Sequence, residues 1–280
     1  MTPRQLILET AALFREKGIP DPAHDSALLL SSVLGRPALD LRLDEDTSLS
    51  REELAAFSAL ADHRLRREPL QYILEEAFFF GRPFRVDPRV LIPRPETELL
   101  CEWALESAAP EASLRVLDLC CGSGCIGITL RLERPLARVT LADLSPDALA
   151  VARQNAAALD ADVRFACGDL FEPLTGQSFD LILSNPPYIP AAECASLQDE
   201  VLREPRIALD GGEDGLLFYR RIIAGAPAFL SPGGWLYLEL GLGEDQAVRQ
   251  LMEEHSFTEI GIRKDYSGIA RMIRGRRAHV

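Results

Sequence analysis

Phe179-Asp180-Leu181-Ile182-Leu183-Ser184-Asn185-Pro186-Pro187-Tyr188 is an apolar strand running straight into a rigid polar turn. Phe179 to Leu183 is short, β-compatible and too apolar for a sheet edge, which predicts a central parallel strand. The two prolines forbid any continuation as helix or inner strand. They also fix the backbone, so Asn185 and the Pro186 carbonyl are held in a defined direction. Proline donates no N–H, so the turn offers acceptors. Tyr188 adds a flat aromatic face beside them. An acceptor pair next to an aromatic plate suits a planar group bearing an NH2. The competing reading is a plain strand-ending turn.

Upstream of this stretch the rhythm is strand, helix, strand, helix. Leu114 to Leu119 is a strand, Cys120-Cys121-Gly122-Ser123-Gly124 a tight loop, and Cys125 to Arg131 a helix. Arg138 to Asp143 is a second strand, and Ser145-Pro146-Asp147 caps a helix to about Leu159. Val163 to Cys167 is a third strand, ending near Gly168-Asp169-Leu170-Phe171. Downstream, residues 189–215 read as irregular and acidic, and Phe218 to Phe229 as a helix. A fifth strand, Trp235 to Leu240, follows Pro232-Gly233-Gly234; a helix from Glu244 to His255 and strands near Phe257–Ile262 and Ile269–Ile273 close the chain. This alternation predicts an α/β fold, a mostly parallel sheet with helices on both faces.

The first 75 residues read differently. Leu6, Leu13 and Phe14 form one helical stripe and Ala27 to Leu34 a second. Ser50 with Glu53 looks like a capping box opening a third helix with Leu54, Phe57, Leu60 and Leu65. Arg64, Arg66 and Arg67 read as a solvated helix end complementing the dipole, or as part of a partner-binding face. Phe78-Phe79-Phe80-Gly81-Arg82-Pro83-Phe84-Arg85-Val86 predicts a hairpin or extended connector, its phenylalanines buried in a domain junction or lining a pocket. Two prolines, 93 and 95, precede a helix from Glu98 to Ala108 that Pro95 or Thr97 starts.

The chain has 280 residues, 47% of them apolar, which is ample for a sizeable core. No apolar run is long enough to span a bilayer, and Met1 to Arg15 lacks the basic-then-apolar pattern of a secretory signal, so a cytoplasmic protein is expected. The net charge of −13 disfavours a large phosphate-binding surface. Cys101, Cys120, Cys121, Cys125, Cys167 and Cys194 show no zinc spacing and read as buried, reduced thiols. No metal site is expected, and His24, His63, His255 and His279 are scattered away from every motif.

In open α/β sheets a ligand sits outside the carboxyl ends of the strands. Gly122 and Gly124 there permit close backbone approach, and the following helix start presents N–H donors. Asp143, about 20 residues on, can accept both hydroxyls of a ribose; its competing reading is a helix N-terminal acid. Asp169 can accept from an exocyclic amine, with Leu170 or Phe171 packed on the ring; it can also be a turn former. Cys120 stands where a first glycine is expected. Together with Asn-Pro-Pro-Tyr, the tetrapeptide of methyltransferases acting on amide or exocyclic amino nitrogens, this set resembles a class I S-adenosylmethionine methyltransferase.

A narrower resemblance covers nearly the whole chain. Gln71-Tyr72-Ile73, Phe80 to Val86, Leu91-Ile92-Pro93-Arg94-Pro95-Glu96-Thr97-Glu98, Asp118 to Gly124, Ser184 to Ile189, Glu204-Pro205-Arg206, Ala208 to Gly215 and Asp265 to Arg271 resemble the peptide chain release factor glutamine N5-methyltransferases, the PrmC or HemK family. The resemblance implies a small all-α domain at 1–75 that docks substrate, a β-hairpin linker at 76–92 and a methyltransferase domain at 93–280. It implies S-adenosyl-L-methionine as cofactor and the Gly-Gly-Gln glutamine of class I release factors as target. A monomer is expected, with no membrane and no direct nucleic-acid partner. The cofactor would lie against Cys120, Cys121, Gly122, Ser123, Gly124, Asp143, Asp169, Leu170 and Asn185, with Arg94 and Thr97 closing over it on the resemblance alone. Asn185, Pro186, Pro187 and Tyr188 would hold the substrate amide, and Asn185, Pro186 and Tyr188 would be catalytic. The alternative is a nucleic-acid amino methyltransferase in which the same turn holds a flipped base. A third reading is a silent cofactor-binding module.

Overall fold

The computed structural model describes residues 1–107 and 113–278 and divides the chain into two compact units. One unit is Met1–Glu76 with Gln198–Arg203; the other is Ala77–Leu197 with Glu204–Val280.

The first unit is helical: α1 (Pro3–Glu16), α2 (Pro22–Leu34), α3 (Ala38–Leu43), α4 (Arg51–Leu65) and α5 (Leu70–Leu74). Thr2 with Gln5 caps α1, and Ser50 with Glu53 caps α4, each satisfying otherwise orphaned N–H groups. Ile7, Phe14, Leu29, Leu30, Leu41 and Phe57 fill the core. Leu13, expected in the α1 stripe, faces outward, and Ile7 takes the buried place. The arginine cluster is corrected. Arg64 is buried, donating from Nε to Asp25 Oδ2 at 2.7 Å and from a terminal nitrogen to Glu200 Oε1 at 2.8 Å. Arg67 holds Glu200 Oε2 at 2.7 Å and the Gly18 carbonyl at 2.6 Å. Two of the three arginines therefore neutralise acids inside the unit, because a buried carboxylate without a partner would cost several kcal/mol.

In the second unit, β1 (Glu76–Phe79) and β2 (Arg82–Arg85) form the expected hairpin. Its two-residue turn has φ +52° at Phe80 and +72° at Gly81, the both-positive geometry that matches strand twist. Of the three phenylalanines only Phe79 is fully buried, edge-on against Phe84 in this unit's core, and Phe78 is exposed.

Seven strands form the main sheet: β3 (Arg115–Leu119), β4 (Arg138–Asp143), β5 (Arg164–Cys167), β6 (Phe179–Ser184), β7 (Leu230–Glu239), β8 (Phe257–Lys264) and β9 (Ala270–Arg277). Their order is β5-β4-β3-β6-β7-β9-β8, parallel except for β9 and β8. The helices are α6 (Pro95–Glu106), α7 (Cys125–Glu133), α8 (Pro146–Ala158), α9 (Leu217–Phe229) and α10 (Asp245–Glu254). Ala108, the expected end of α6, and His279 lie outside the described residues. Two apolar clusters cover the two faces of the sheet, with Leu183 in one and Ile182 in the other. That alternation confirms a central strand at Phe179–Ser184.

Two strands are longer than the sequence indicates. β7 begins at Leu230, because the register slips between Phe179↔Leu230 and Leu181↔Trp235, so Pro232-Gly233-Gly234 is a bulge inside the strand. β9 continues through Arg274 and Arg276, whose guanidinium groups lie over the Trp103 and Trp235 rings. The cysteines are free; Cys101, Cys121, Cys125 and Cys194 are buried, Cys120 is half-buried, and Cys167 is exposed against expectation. Among the described residues no helix is long and apolar enough to cross a membrane.

Candidate functional site

Strand order reverses between β3 and β6, and the ends of these strands open onto a cleft, as expected at a topological switch point. The loop after β3 forms one wall. Its backbone is left-handed at Cys120 (φ +61°), Gly122 (+53°) and Gly124 (+80°). Cys120, standing where a glycine is expected, thus adopts the conformation that a glycine would take without strain. Burial and the Asp143 charge push its thiol up to about 12, so it is no nucleophile.

Asp143, at the end of β4, organises this loop. Its Oδ2 accepts from Gly122 N–H at 2.8 Å and its Oδ1 from Ser145 N–H at 2.9 Å, and burial raises its carboxyl. Each oxygen keeps a lone pair for a further donor. A methyl group on Gly122 would meet nothing within 4 Å, so the loop's inner surface is open. Cys120, Cys121, Gly122 and Ser123 line the cleft, but Gly124 does not. Gly124 serves packing instead: a Cβ there would sit 3.0 Å from Ile128 and 3.2 Å from Ala152. Gly127 lets α7 close on β3, where a Cβ would lie 2.5 Å from Leu141. Its N–H donates to buried Asp118 at 2.8 Å, and desolvation lifts that carboxyl to about 7.

Asp169 and Leu170 line the cleft, with Ile207 and Phe218 adding apolar surface that the sequence reading did not include. Asp169 also holds Arg221 at 2.7 Å, so one of its oxygens is shared. Phe171 is absent from the lining and stacks on Phe229 in the core. Arg94 and Thr97 both face the cleft. Arg94 is fixed by an ion pair with Glu204, whose other oxygen accepts from Ile92 N–H at 3.0 Å.

The turn after β6 forms the opposite wall, with Asn185 and Pro187 in the lining and Pro186 buried behind them. The segment that follows folds back on it: Ile189 N–H donates to Leu209 O at 2.9 Å, and Gly211 N–H to Ile189 O at 2.8 Å. Any side chain at Gly211 would come within 2.7 Å of the Tyr188 backbone. Behind the turn lies a hydrogen-bond chain. Asn185 Nδ2 donates to Thr97 Oγ1 at 3.3 Å, Thr97 Oγ1 donates to Glu239 Oε2 at 2.6 Å, and Tyr188 OH donates to Glu239 Oε1 at 3.3 Å. Tyr188 is therefore tied inward by its hydroxyl and is not part of the cleft lining. Glu239 is buried, which raises its carboxyl to about 7. Sequence reasoning missed it, although a lone acid inside the apolar strand Trp235–Leu240 was a visible signal.

The arrangement offers carboxylates for hydroxyl or amino groups, apolar surface for a flat ring, and, in the same lining, an asparagine whose amide nitrogen is held by Thr97. Residues 96–213 match the model of the methyltransferase small domain and residues 5–74 that of the PrmC N-terminal domain. A release factor glutamine methyltransferase of Geobacter sulfurreducens is 45% identical over 98% of this chain and 96% of its own length. One from Chlorobaculum tepidum is 46% identical, covering 95% and 94%. In fold, the chain is similar to a solved methyltransferase of Pyrococcus furiosus, with a TM-score of 0.56 over 78% of this chain and 99% of that one at 16% identity. With relatives this similar over nearly its full length, the chain belongs to the release factor glutamine methyltransferase family.

Proposed function

We propose that this protein methylates the side-chain amide nitrogen of the glutamine in the Gly-Gly-Gln motif of class I peptide chain release factors, using S-adenosylmethionine. The observation that carries the reading is the fixed direction of Asn185. Thr97 gives its hydroxyl proton to Glu239, so it can only accept from Asn185. The Asn185 nitrogen therefore faces Thr97, and Oδ1 is left as an acceptor for a substrate NH2.

The residues present fit the cofactor. The open surface over Gly122, the Asp143 carboxylate and the apolar flank of Leu170, Ile207 and Phe218 suit a sugar and a flat base. When bound, S-adenosylmethionine would supply an electrophilic methyl on a cationic sulfur, with a neutral thioether as its leaving group, and the amide proton lost on transfer would pass to solvent. Asn185 Oδ1 accepts one amide N–H, which holds the nitrogen in an attacking direction, whereas Pro186, expected to offer a second acceptor, lies behind the cleft lining. The same acceptor favours the more cationic transition state. Asp143, Asp169 and Leu170 bind, Arg94 and Thr97 border the cleft, and the helical unit docks the protein substrate.

Incubation with labelled S-adenosylmethionine and either a release factor or nucleic acid tests this reading. Label on the Gly-Gly-Gln glutamine, located by mass spectrometry, supports it. Label in nucleic acid, or none, overturns it.

A further inference from the structure

Glu239 ends β7 one residue beyond Leu238, which pairs with Ser184 at the end of β6. It therefore stands one step beyond that pair, as Asn185 does on the neighbouring parallel strand, 2% exposed, with no ion pair among the described residues. A carboxylate buried without a cation in contact is costly, and an apolar side chain would fill the place more cheaply. What a carboxylate adds is that, ionised, it only accepts. Both hydroxyls touching it, on Thr97 and Tyr188, must then point their protons at it.

We propose that Glu239 is a positioning residue for methyl transfer: it sets the donor direction of Thr97 and Tyr188 and so holds Asn185 with Oδ1 toward the acceptor amide. This rests on the reading that Asn185 receives the glutamine amide. A neutral amide at 239 breaks the logic, because its NH2 can donate to Thr97. The Thr97 hydroxyl is then free to donate to Asn185 Oδ1, which turns the Asn185 amide over and presents a donor to the substrate NH2. Tyr188 loses its anchor by the same change.

The carboxylate's ionisation follows from its surroundings. Burial, with a smaller push from Glu96, raises it to about 7 against the opposing pull of Thr97, Tyr188 and Arg271. Cys101, Cys125 and Tyr219 also feel it, and each has its own ionisation pushed up, so they stay neutral beside it. Turnover should therefore fall as pH drops through about 7. Glu239→Gln should lack that limb, although Asp118 and Glu244, also near 7, are unchanged in the variant.

The test is steady-state methylation of purified release factor with labelled S-adenosylmethionine. Glu239→Gln and Thr97→Val should each lower kcat by about 10–100-fold, the scale at which residues orienting a reacting group act. For Glu239→Gln, KM for release factor and cofactor Kd should stay within about threefold, because Glu239 is not in the cleft lining. The double variant should be no worse than the poorer single one. Thr97→Ser, which keeps the hydroxyl, should recover much of the loss seen in Thr97→Val. A Glu239→Gln kcat within about twofold of wild type, an equal loss in cofactor affinity, or additive losses would overturn the proposal. Wild-type enzyme that leaves release factor unlabelled overturns the functional reading and this proposal together; labelled wild type with an undiminished Glu239→Gln overturns only the role of Glu239.

Discussion

The loops after β3 and β6 lie at the ends of neighbouring strands and face one cleft, but different physics specifies them. The glycine loop is a backbone structure. Its shape comes from left-handed residues at 120, 122 and 124, and the space over Gly122 is open. Asp143 is the side chain that grips it. The Asn-Pro-Pro-Tyr turn is a side-chain structure, and its chemistry depends on hydroxyls and a carboxylate up to 88 residues away in sequence. The first loop should tolerate changes of side chain that preserve φ at 120 and 122, though not at Gly124, where a Cβ meets Ile128 and Ala152. The second should not tolerate even isosteric changes of hydrogen-bond character.

The largest expected effect is at Asn185. Asn185→Asp keeps an acceptor but loses the donor to Thr97 and brings a second negative charge toward Glu239. Turnover on release factor should fall by about 10²–10³-fold, the scale of a lost preorganised contact. Cofactor affinity should hold or tighten, since the added charge attracts a sulfonium. A rate falling only in step with cofactor binding would make the turn a scaffold like the other loop.

Asp143→Ala comes next. Losing charge-assisted hydrogen bonds of about 1.5–3 kcal/mol each should raise the cofactor Kd at least about tenfold. It also leaves Gly122 N–H and Ser145 N–H without their acceptor. Asp143→Asn, which retains one acceptor oxygen, should lose less. Unchanged binding of Asp143→Ala in calorimetry would take this residue out of the cofactor site.

A smaller effect separates Glu239 from ordinary core residues. Its carboxyl is raised from 4.5 to about 7, so its stabilising contribution is complete below about 4.5 and is lost as pH rises through 7. The Tm advantage of Glu239→Gln over wild type should therefore grow between pH 5 and pH 8, while its turnover is lower. A Tm difference independent of pH would show that Glu239 does not titrate in this range.

The smallest effect is expected at Cys120. Glycine relieves a left-handed residue worth about 1–2 kcal/mol, but it frees the unfolded chain by about 0.5–1 kcal/mol. Cys120→Gly should change stability by no more than about 1 kcal/mol and leave cofactor affinity within about twofold. A collapse of binding would mean that the loop is specified by its side chains after all.

The sequence carried the fold where local rules decide it. Arg138–Asp143 and Phe179–Ser184 form the expected strands, and the caps at Ser50 and Ser145 sit as read. It hid what depends on distant partners. Arg64 looked like a solvated helix end because Asp25 and Glu200 are 39 and 136 residues away. β7 looked short because its bulge is defined by β6 across the sheet. In the cleft, the motif residues Gly122, Asp143, Asp169 and Asn185 were legible by type and spacing, and all face it. The roles of Glu239 and Glu204 were not, since they act on Thr97 and Arg94, each more than a hundred positions earlier.

The most direct test of the turn's role is single-turnover methylation of release factor by Asn185→Ala at saturating cofactor and substrate, with both binding constants measured alongside. The expected result is a rate lower by about 10²–10³-fold, with cofactor Kd changed far less. A wild-type rate from Asn185→Ala under those conditions would contradict the assignment of the acceptor amide to this turn.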